Sequence, residues 1–119
     1  MADVGAGTGV LSFMAAEGGA RTVYAIEAAK ISNVCKKQTK ERNLGAIIKV
    51  MQCRAEIAPL GKESVDLIVS EWMGYFLLFE RMLPSVLAFR DRCLKKDGSI
   101  IPRAASILLG ATDAPKKPI

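Results

Sequence analysis

The sequence of 119 residues contains no histidine. Without an imidazole, a Ser-His-Asp triad, an HExxH zinc site and any histidine general base are excluded within this sequence. Its three cysteines, Cys35, Cys53 and Cys93, are far apart and form no CxxC pair. An odd, dispersed set of this kind argues against a disulfide framework and against a zinc cluster. We therefore expect reduced thiols, a cytoplasmic or nuclear location, and no metal site.

Long apolar runs are also absent, because charged residues interrupt every apolar stretch before the roughly 18 residues that a membrane span needs. Residues 10–16 are mostly apolar, but no basic region precedes them and Asp3 lies upstream, which does not fit a secretory signal. The 17 Lys and Arg residues against 12 Asp and Glu give a net charge of +5. Because these basic residues are scattered, we expect neither a membrane nor nucleic acid as a direct partner.

Half of the residues are apolar and 24% are charged, a balance typical of one folded domain. Helix patterns cover residues 10–17, 30–43 and 79–94. Strand patterns cover residues 1–4, 21–27, 47–51, 65–70 and 99–101, and residues 104–112 are a candidate for one more. This alternation predicts an α/β fold with a doubly wound, mostly parallel sheet.

The first strand should be central in such a sheet, yet only Met1 and Ala2 precede Asp3. Either its neighbours tolerate a short strand, or the sequence is a piece of a longer one. Residues 113–118, with two prolines and two lysines, resemble a linker and favour the second interpretation. We therefore expect a fold truncated at the first strand.

A glycine-rich turn, DVGAGTG at residues 3–9, follows this strand and opens a helix. In α/β sheets this position binds nucleotides. Gly5 and Gly7 allow a sharp turn and a close approach of a ligand to the backbone. Glu27 ends the next strand, where a carboxylate can accept both hydroxyls of a ribose.

Two residues bear on which nucleotide this turn would bind. Val10 stands where a dinucleotide-binding turn has its third glycine. Asp3 would repel a pyrophosphate but would suit a ligand with a cationic amine. These features favour S-adenosylmethionine, while a dinucleotide and a purely structural turn stay open.

Two glutamates, Glu71 and Glu80, bracket the apolar loop of SEWMGYFLLFERML at residues 70–83. Paired carboxylates serve in acid–base catalysis, as in glycosidases, or hold a guanidinium through its planar set of donors. The alternative is that Glu71 caps a helix and Glu80 pairs with Arg81 or Arg90 on the surface, which would have little consequence.

Three segments, DVGAGTGVLSF, VYAIEA and SEWMGYFLLFERML, together resemble the protein arginine N-methyltransferases. The resemblance covers roughly residues 3–102, the methyl-donor half of that family's catalytic core. It implies a Rossmann-like class I methyltransferase domain at residues 1–102. Residues 103–119 would then be a linker or the start of the β-barrel substrate domain, so the fold would be truncated before that barrel. The SEWMGY form, with Met82 after the second glutamate, resembles the members that form asymmetric dimethylarginine.

The resemblance implies S-adenosyl-L-methionine as cofactor and arginine-containing proteins, such as histones and Arg/Gly-rich RNA-binding proteins, as substrates. It implies that Glu71 and Glu80 are catalytic and hold the substrate guanidinium. It implies cofactor binding by Asp3, Gly5, Gly7, Glu27, Ala55 and Glu56. Met73, Tyr75 and Met82 would line the substrate pocket, with ordinary packing as the alternative. Full-length members would be homodimers.

The family's N-terminal helices, β-barrel, dimerisation arm and Thr-His-Trp loop have no counterpart in these residues. We therefore expect weak or undetectable activity of this chain alone, and self-association through exposed apolar surface. One alternative function is an NAD(P)-dependent Rossmann dehydrogenase, which Val10 and Asp3 disfavour. Another is a non-catalytic interaction module with the same fold, and the intact Glu27, Glu71 and Glu80 argue against it.

Overall fold

The computed structural model describes residues 1–111, in which strands and helices alternate. The elements are β1 (Ala2–Val4), α1 (Val10–Glu17), β2 (Val23–Ile26), α2 (Ser32–Glu41), β3 (Ile48–Met51), β4 (Val65–Val69), α3 (Leu83–Cys93) and β5 (Leu94–Ile101). A short 3₁₀ helix, Ala55–Ile57, lies between β3 and β4. Within this part of the chain, no helix is long and apolar enough to cross a membrane.

The five strands form one sheet in the order β3-β2-β1-β4-β5, and every neighbouring pair is parallel. The predicted α/β fold with the first strand at its centre is therefore confirmed. Although β1 has only three residues, all of them are buried. Asp3 pairs with Ala25 of β2 on one side and with Val69 of β4 on the other.

Helices cover both faces of this sheet. Successive strand residues point to opposite faces, so each strand contributes side chains to a core on either side. On one face, Val4 and Ile68 belong to a core with Phe89 of α3. On the other face, Val23 packs in a second core with Phe13 of α1, and Cys35 of α2 belongs to the same core. Each fully buried Val, Ile or Phe side chain contributes roughly 1.5–3 kcal/mol. The predicted doubly wound arrangement is thus present.

The third helix differs from its prediction at the N-terminal end. It begins at Leu83 and not at Phe79, with Pro84 in its first turn. Arg81 adopts a left-handed backbone conformation with a φ of 56°, which interrupts a helix. Because proline fits only the first turn of a helix, residues 79–82 join the preceding loop.

Other boundaries shift as well. Helix α2 is shorter than predicted at both ends, and β5 starts at Leu94, directly after α3, where sequence patterning indicated residues 99–101. Residues 104–111 form no strand. Thr112, the end of that candidate strand, and the predicted linker at 113–118 lie outside the described residues.

Because the strands are parallel, their carboxyl ends meet at one edge of the sheet. The glycine turn after β1, Glu27 after β2, the segment after β3 and Glu71 after β4 all follow strands at that edge. This is where open α/β sheets bind ligands, at the point where strand order reverses.

Candidate functional site

A cavity of about 270 Å³ opens at this carboxyl edge. Its wall consists of Val4, Gly5, Ile26, Glu27, Ala28, Cys53, Arg54, Ala55, Glu56, Met82 and Ser85. Five residues predicted from the sequence therefore meet here, namely Gly5, Glu27, Ala55, Glu56 and Met82. Asp3, Gly7, Glu71, Glu80, Met73 and Tyr75 lie outside the wall.

The glycine turn brings the backbone of Gly5 into the wall. Its amide and that of Ala6 both donate to the Ile26 carbonyl, at 2.8 and 3.0 Å. Gly5 has a φ of +79°, and a Cβ atom there would overlap the terminal methyl of Met82. The backbone conformation therefore favours glycine at position 5, and any larger residue would also displace the flexible end of Met82.

Glu27 is held in place by two backbone amides. Its Oε2 accepts from the Gly7 amide at 3.0 Å and its Oε1 from the Ala29 amide at 2.8 Å. A carboxylate has about four lone-pair sites, so two bonds leave acceptor capacity on both oxygens. Because Glu27 also lines the cavity, it can accept hydrogen bonds from two hydroxyls of a ligand.

Asp3 lies beneath the turn and not in the cavity wall. It is 1% exposed, and its Oδ2 accepts from the Ser12 hydroxyl at 2.7 Å, which ties β1 to α1. Burial raises the pKa of the Asp3 carboxyl above its usual range, although the bonds from Ser12 act in the opposite direction. The structure thus places Asp3 where it fixes the start of α1 relative to the turn.

Glu56 also lines the cavity. Its Oε1 accepts from the Ser85 hydroxyl at 2.6 Å and from the Arg54 guanidinium at 3.0 Å. The Ser85 bond, followed by the Arg54 bond, lowers the pKa of Glu56 to about 2. Sequence reasoning missed Ser85, because it lies on another element and no pattern links it to Glu56.

The two glutamates of the loop between β4 and α3 are both exposed. The Glu80 side chain packs on Gly74, where a Cβ atom would overlap it. Within residues 1–111 neither Glu71 nor Glu80 has a hydrogen-bond or ion-pair partner, and Arg90 instead pairs with Asp91 at 2.6 Å. The surface pairing of Glu80 considered from the sequence is therefore not formed.

Backbone strain and exposed apolar side chains mark the same loop. Phe76, Leu77 and Arg81 have positive φ values of 48°, 61° and 56°. Such conformations are uncommon for bulky residues and occur often at functional sites. The Tyr75 side chain is 85% exposed and that of Phe79 is 76% exposed.

The remaining predicted pocket residues divide into two kinds. Met73 and Met82 are partly buried against the core that contains Trp72, which is 7% exposed. Met82 also reaches the cavity wall, whereas Tyr75 points into solvent.

The charges of the wall suit a nucleoside more than a phosphate. Glu27 and Glu56 are acidic, and Arg54 is the only cation among the lining residues. Arg54 is itself paired with Glu56, so the wall carries two carboxylates against one cation. A ribose diol at Glu27 and an uncharged base near Glu56 fit these groups. The described residues bring no three potential metal ligands together.

A family model described as "Methyltransferase domain" matches residues 2–101. Protein arginine N-methyltransferase 1.1 of Arabidopsis thaliana is 45% identical over 111 residues, which are 93% of this chain and 28% of that protein. Protein arginine N-methyltransferase 6 of Xenopus tropicalis is 45% identical over 107 residues, which are 90% of this chain and 31% of that protein. The chain thus spans less than a third of these relatives.

Solved structures are similar over 85% of the chain. Protein arginine methyltransferase 10 of Arabidopsis thaliana superposes with a TM-score of 0.81 and 46% identity, over 29% of its own length. A Trypanosoma brucei PRMT1 enzyme–prozyme heterotetrameric complex with AdoHcy gives a TM-score of 0.80 and 40% identity, over 32% of that chain. PRMT6 with bound SAH gives 0.75 and 33%, over 36% of that chain.

Proposed function

Since the chain belongs to the methyltransferase domain family, we propose that it is the donor-binding part of an S-adenosyl-L-methionine-dependent protein arginine N-methyltransferase. The resemblance to the arginine methyltransferases is confirmed by relatives that are 45% identical over 90% or more of the chain.

The observation that carries the donor assignment is the fixed Glu27 carboxylate in the cavity wall. Amides of Gly7 and Ala29 orient it, and its free lone pairs match a ribose diol. Ala55 and Glu56 also line the cavity, and we assign the adenine to them. S-adenosyl-L-methionine, when bound, supplies an electrophilic sulfonium methyl group.

The acceptor side is assigned to Glu71 and Glu80. Both carboxylates are exposed and have no partner within the described residues, so they are available to a guanidinium. Each would accept N–H hydrogen bonds and draw positive charge towards the nitrogens that it binds. The remaining terminal nitrogen then becomes more nucleophilic, and its orientation by the two bonds supplies most of the rate.

Finer properties follow the same resemblance. The SEWMGY segment and Met82 support asymmetric dimethylarginine as the product. Histones and Arg/Gly-rich proteins are the substrates that the family resemblance favours. The heterotetramer of the Trypanosoma relative supports oligomerisation of the whole protein, and we propose a homodimer.

The cysteines support a reducing compartment. Cys35, Cys53 and Cys93 are all free thiols in the structure. Free thiols persist in the cytosol and the nucleus, and we therefore propose a cytoplasmic or nuclear location.

Calorimetric titration with S-adenosylhomocysteine and, separately, with NAD⁺ tests the donor assignment. We expect binding of the first ligand and none of the second, with Glu27→Ala as the control that removes the ribose acceptor. NAD⁺ binding without S-adenosylhomocysteine binding would favour a dehydrogenase. Binding of neither ligand would favour a non-catalytic module.

Methyl transfer is tested by incubating the chain with labelled donor and an Arg/Gly-rich peptide. We expect weak or undetectable transfer, because the chain spans less than a third of its relatives. Robust transfer would show that this part of the protein suffices for catalysis.

A further inference from the structure

Arg92 of α3 is not part of the cavity wall, yet its guanidinium binds the segment that forms one side of it. Its Nη1 donates to the Leu60 carbonyl, and its Nη2 donates to the carbonyls of Ala58 at 3.0 Å and Ala55 at 3.3 Å. The side chain is half-buried over the Phe89 ring, with Cζ 5.8 Å from the ring centroid.

These three carbonyls belong to the 3₁₀ helix and the residues directly after it. Two of them already accept from backbone amides of the same segment, Ala55 from Ala58 at 3.3 Å and Ala58 from Leu60 at 2.7 Å, so Arg92 adds a second donor to each. A guanidinium has five donors in a planar arrangement, so Arg92 alone can bind all three carbonyls. Among the described residues Arg92 has no carboxylate partner, so binding these carbonyls is its main polar role.

The bound segment includes the two residues that the donor site uses at this end. Ala55 and Glu56 line the cavity; Ala55 carries one of the carbonyls that Arg92 holds, and Glu56 lies in the chain between that carbonyl and the one of Ala58. Ser85, seven residues before Arg92 and so on the same face of α3, bonds the Glu56 carboxylate. Helix α3 therefore holds this side of the cavity at two places, the Glu56 side chain through Ser85 and the backbone through Arg92.

We propose that Arg92 is a positioning residue for the donor site: it fixes the backbone of residues 55–60 so that Ala55 and Glu56 are presented to the bound nucleoside. This inference rests on the proposed donor-binding function. Arg92 does not line the cavity, so it acts only through the position of that segment.

The test compares Arg92→Met and Arg92→Lys with the matched control Arg90→Met. Arg90 lies on the same helix but bonds only its neighbour Asp91. Affinity for S-adenosylhomocysteine is measured by calorimetry, and folding by the cooperativity of thermal unfolding. We expect a loss of about tenfold for Arg92→Met, a smaller loss for Arg92→Lys, and a change within about twofold for Arg90→Met.

A double-mutant cycle with Glu56→Gln measures the coupling between Arg92 and Glu56 in S-adenosylhomocysteine binding. A general loss of stability would not change this coupling. If Arg92 acts through the wall, Arg92→Met should weaken binding less in the Glu56→Gln background than in the wild type. Equal losses in both backgrounds would contradict the positioning role.

The outcomes are distinguishable. A wild-type chain that binds no S-adenosylhomocysteine overturns the proposed function, and this inference with it. Binding by Arg92→Met equal to that of the wild type overturns the inference alone. If Arg92→Met does not fold, a folded Arg92→Lys decides: weakened binding supports the inference and unchanged binding overturns it. If both variants fail to fold, Arg92 is a residue of the core and the inference is wrong.

Discussion

Gly5→Ala is expected to lower the free energy of unfolding by about 2–4 kcal/mol, in two parts. A left-handed conformation costs an L-residue roughly 1–2 kcal/mol, and Gly5 has a φ of +79°. The new Cβ would also overlap the Met82 terminal methyl, and overpacking of this kind typically costs about 1–3 kcal/mol. We take the lower part of the combined range, because the Met82 side chain is flexible and can move aside.

Gly7→Ala separates these two contributions. Gly7 has a φ of +55°, but a Cβ atom there would meet nothing within 4 Å. Only the conformational cost applies, so we expect a loss of about 1–2 kcal/mol. The difference between the two variants measures the contact between the glycine turn and Met82.

Urea unfolding followed by circular dichroism gives these free energies, and the cycle of Gly5→Ala with Met82→Ala isolates the contact. Removing the methionine side chain should recover the part of the loss that comes from overlap, a coupling of about 1–2 kcal/mol. Equal losses for Gly5→Ala and Gly7→Ala, or a coupling below about 0.5 kcal/mol, would refute this reasoning.

Three further substitutions test separate groups of the site. Glu71→Gln in the complete enzyme should abolish methylation in a labelled-donor assay. Donor affinity measured by calorimetry should stay within about twofold, since this carboxylate is assigned to the acceptor only. Parallel loss of methylation and donor affinity would contradict this assignment. Glu27→Ala leaves the Gly7 and Ala29 amides without their acceptor. It should weaken S-adenosylhomocysteine binding, measured by calorimetric titration, by about tenfold or more. Unchanged affinity would show that Glu27 is not part of the donor site. The lowered pKa of Glu56, from 4.5 to about 2, stabilises the fold above pH 4.5, and this contribution is lost as pH falls towards 2. Thermal melts between pH 5 and 3 should therefore show a steeper loss of stability for the wild type than for Glu56→Gln. We expect a difference of about 1 kcal/mol, because the Glu56 side chain is 29% exposed and solvent screens its interactions. Identical pH profiles of the two proteins would contradict this prediction.

Much of the fold could be predicted from the sequence because its strands are short apolar runs between clear turn signals. VDLIVS at residues 65–70 contains β4, and the pattern at residues 10–17 matches α1. The predicted start of α3 was wrong because the amphipathic pattern extends back to Phe79, with Met82 and Leu83 three and four residues further on, and such a pattern does not show where the backbone turns left-handed. Pro84 was the available signal, since proline belongs in the first turn of a helix.

The donor side of the site was predictable where its residues follow strand ends. Gly5 and Glu27 occupy positions that topology alone places at the carboxyl edge. Ser85 and Arg92 were not predictable, because their partners Glu56 and Ala55 lie 29 and 37 residues away in sequence. Bonds from a side chain to a distant carboxylate or carbonyl leave no periodic pattern, and only the packing of α3 reveals them.

The two halves of the site differ in how firmly the fold fixes them. Glu27 and Glu56 each accept two hydrogen bonds, so the donor side is preorganised. The loop with Glu71 and Glu80 instead contains three non-glycine residues with positive φ, each costing roughly 1–2 kcal/mol that packing elsewhere must offset. Its two carboxylates have no hydrogen-bond or ion-pair partner within residues 1–111, although the Glu80 side chain packs on Gly74. Donor binding therefore depends on contacts that the described residues already make, whereas guanidinium binding uses two carboxylates that have no polar partner among those residues, which makes the two steps separable by mutation.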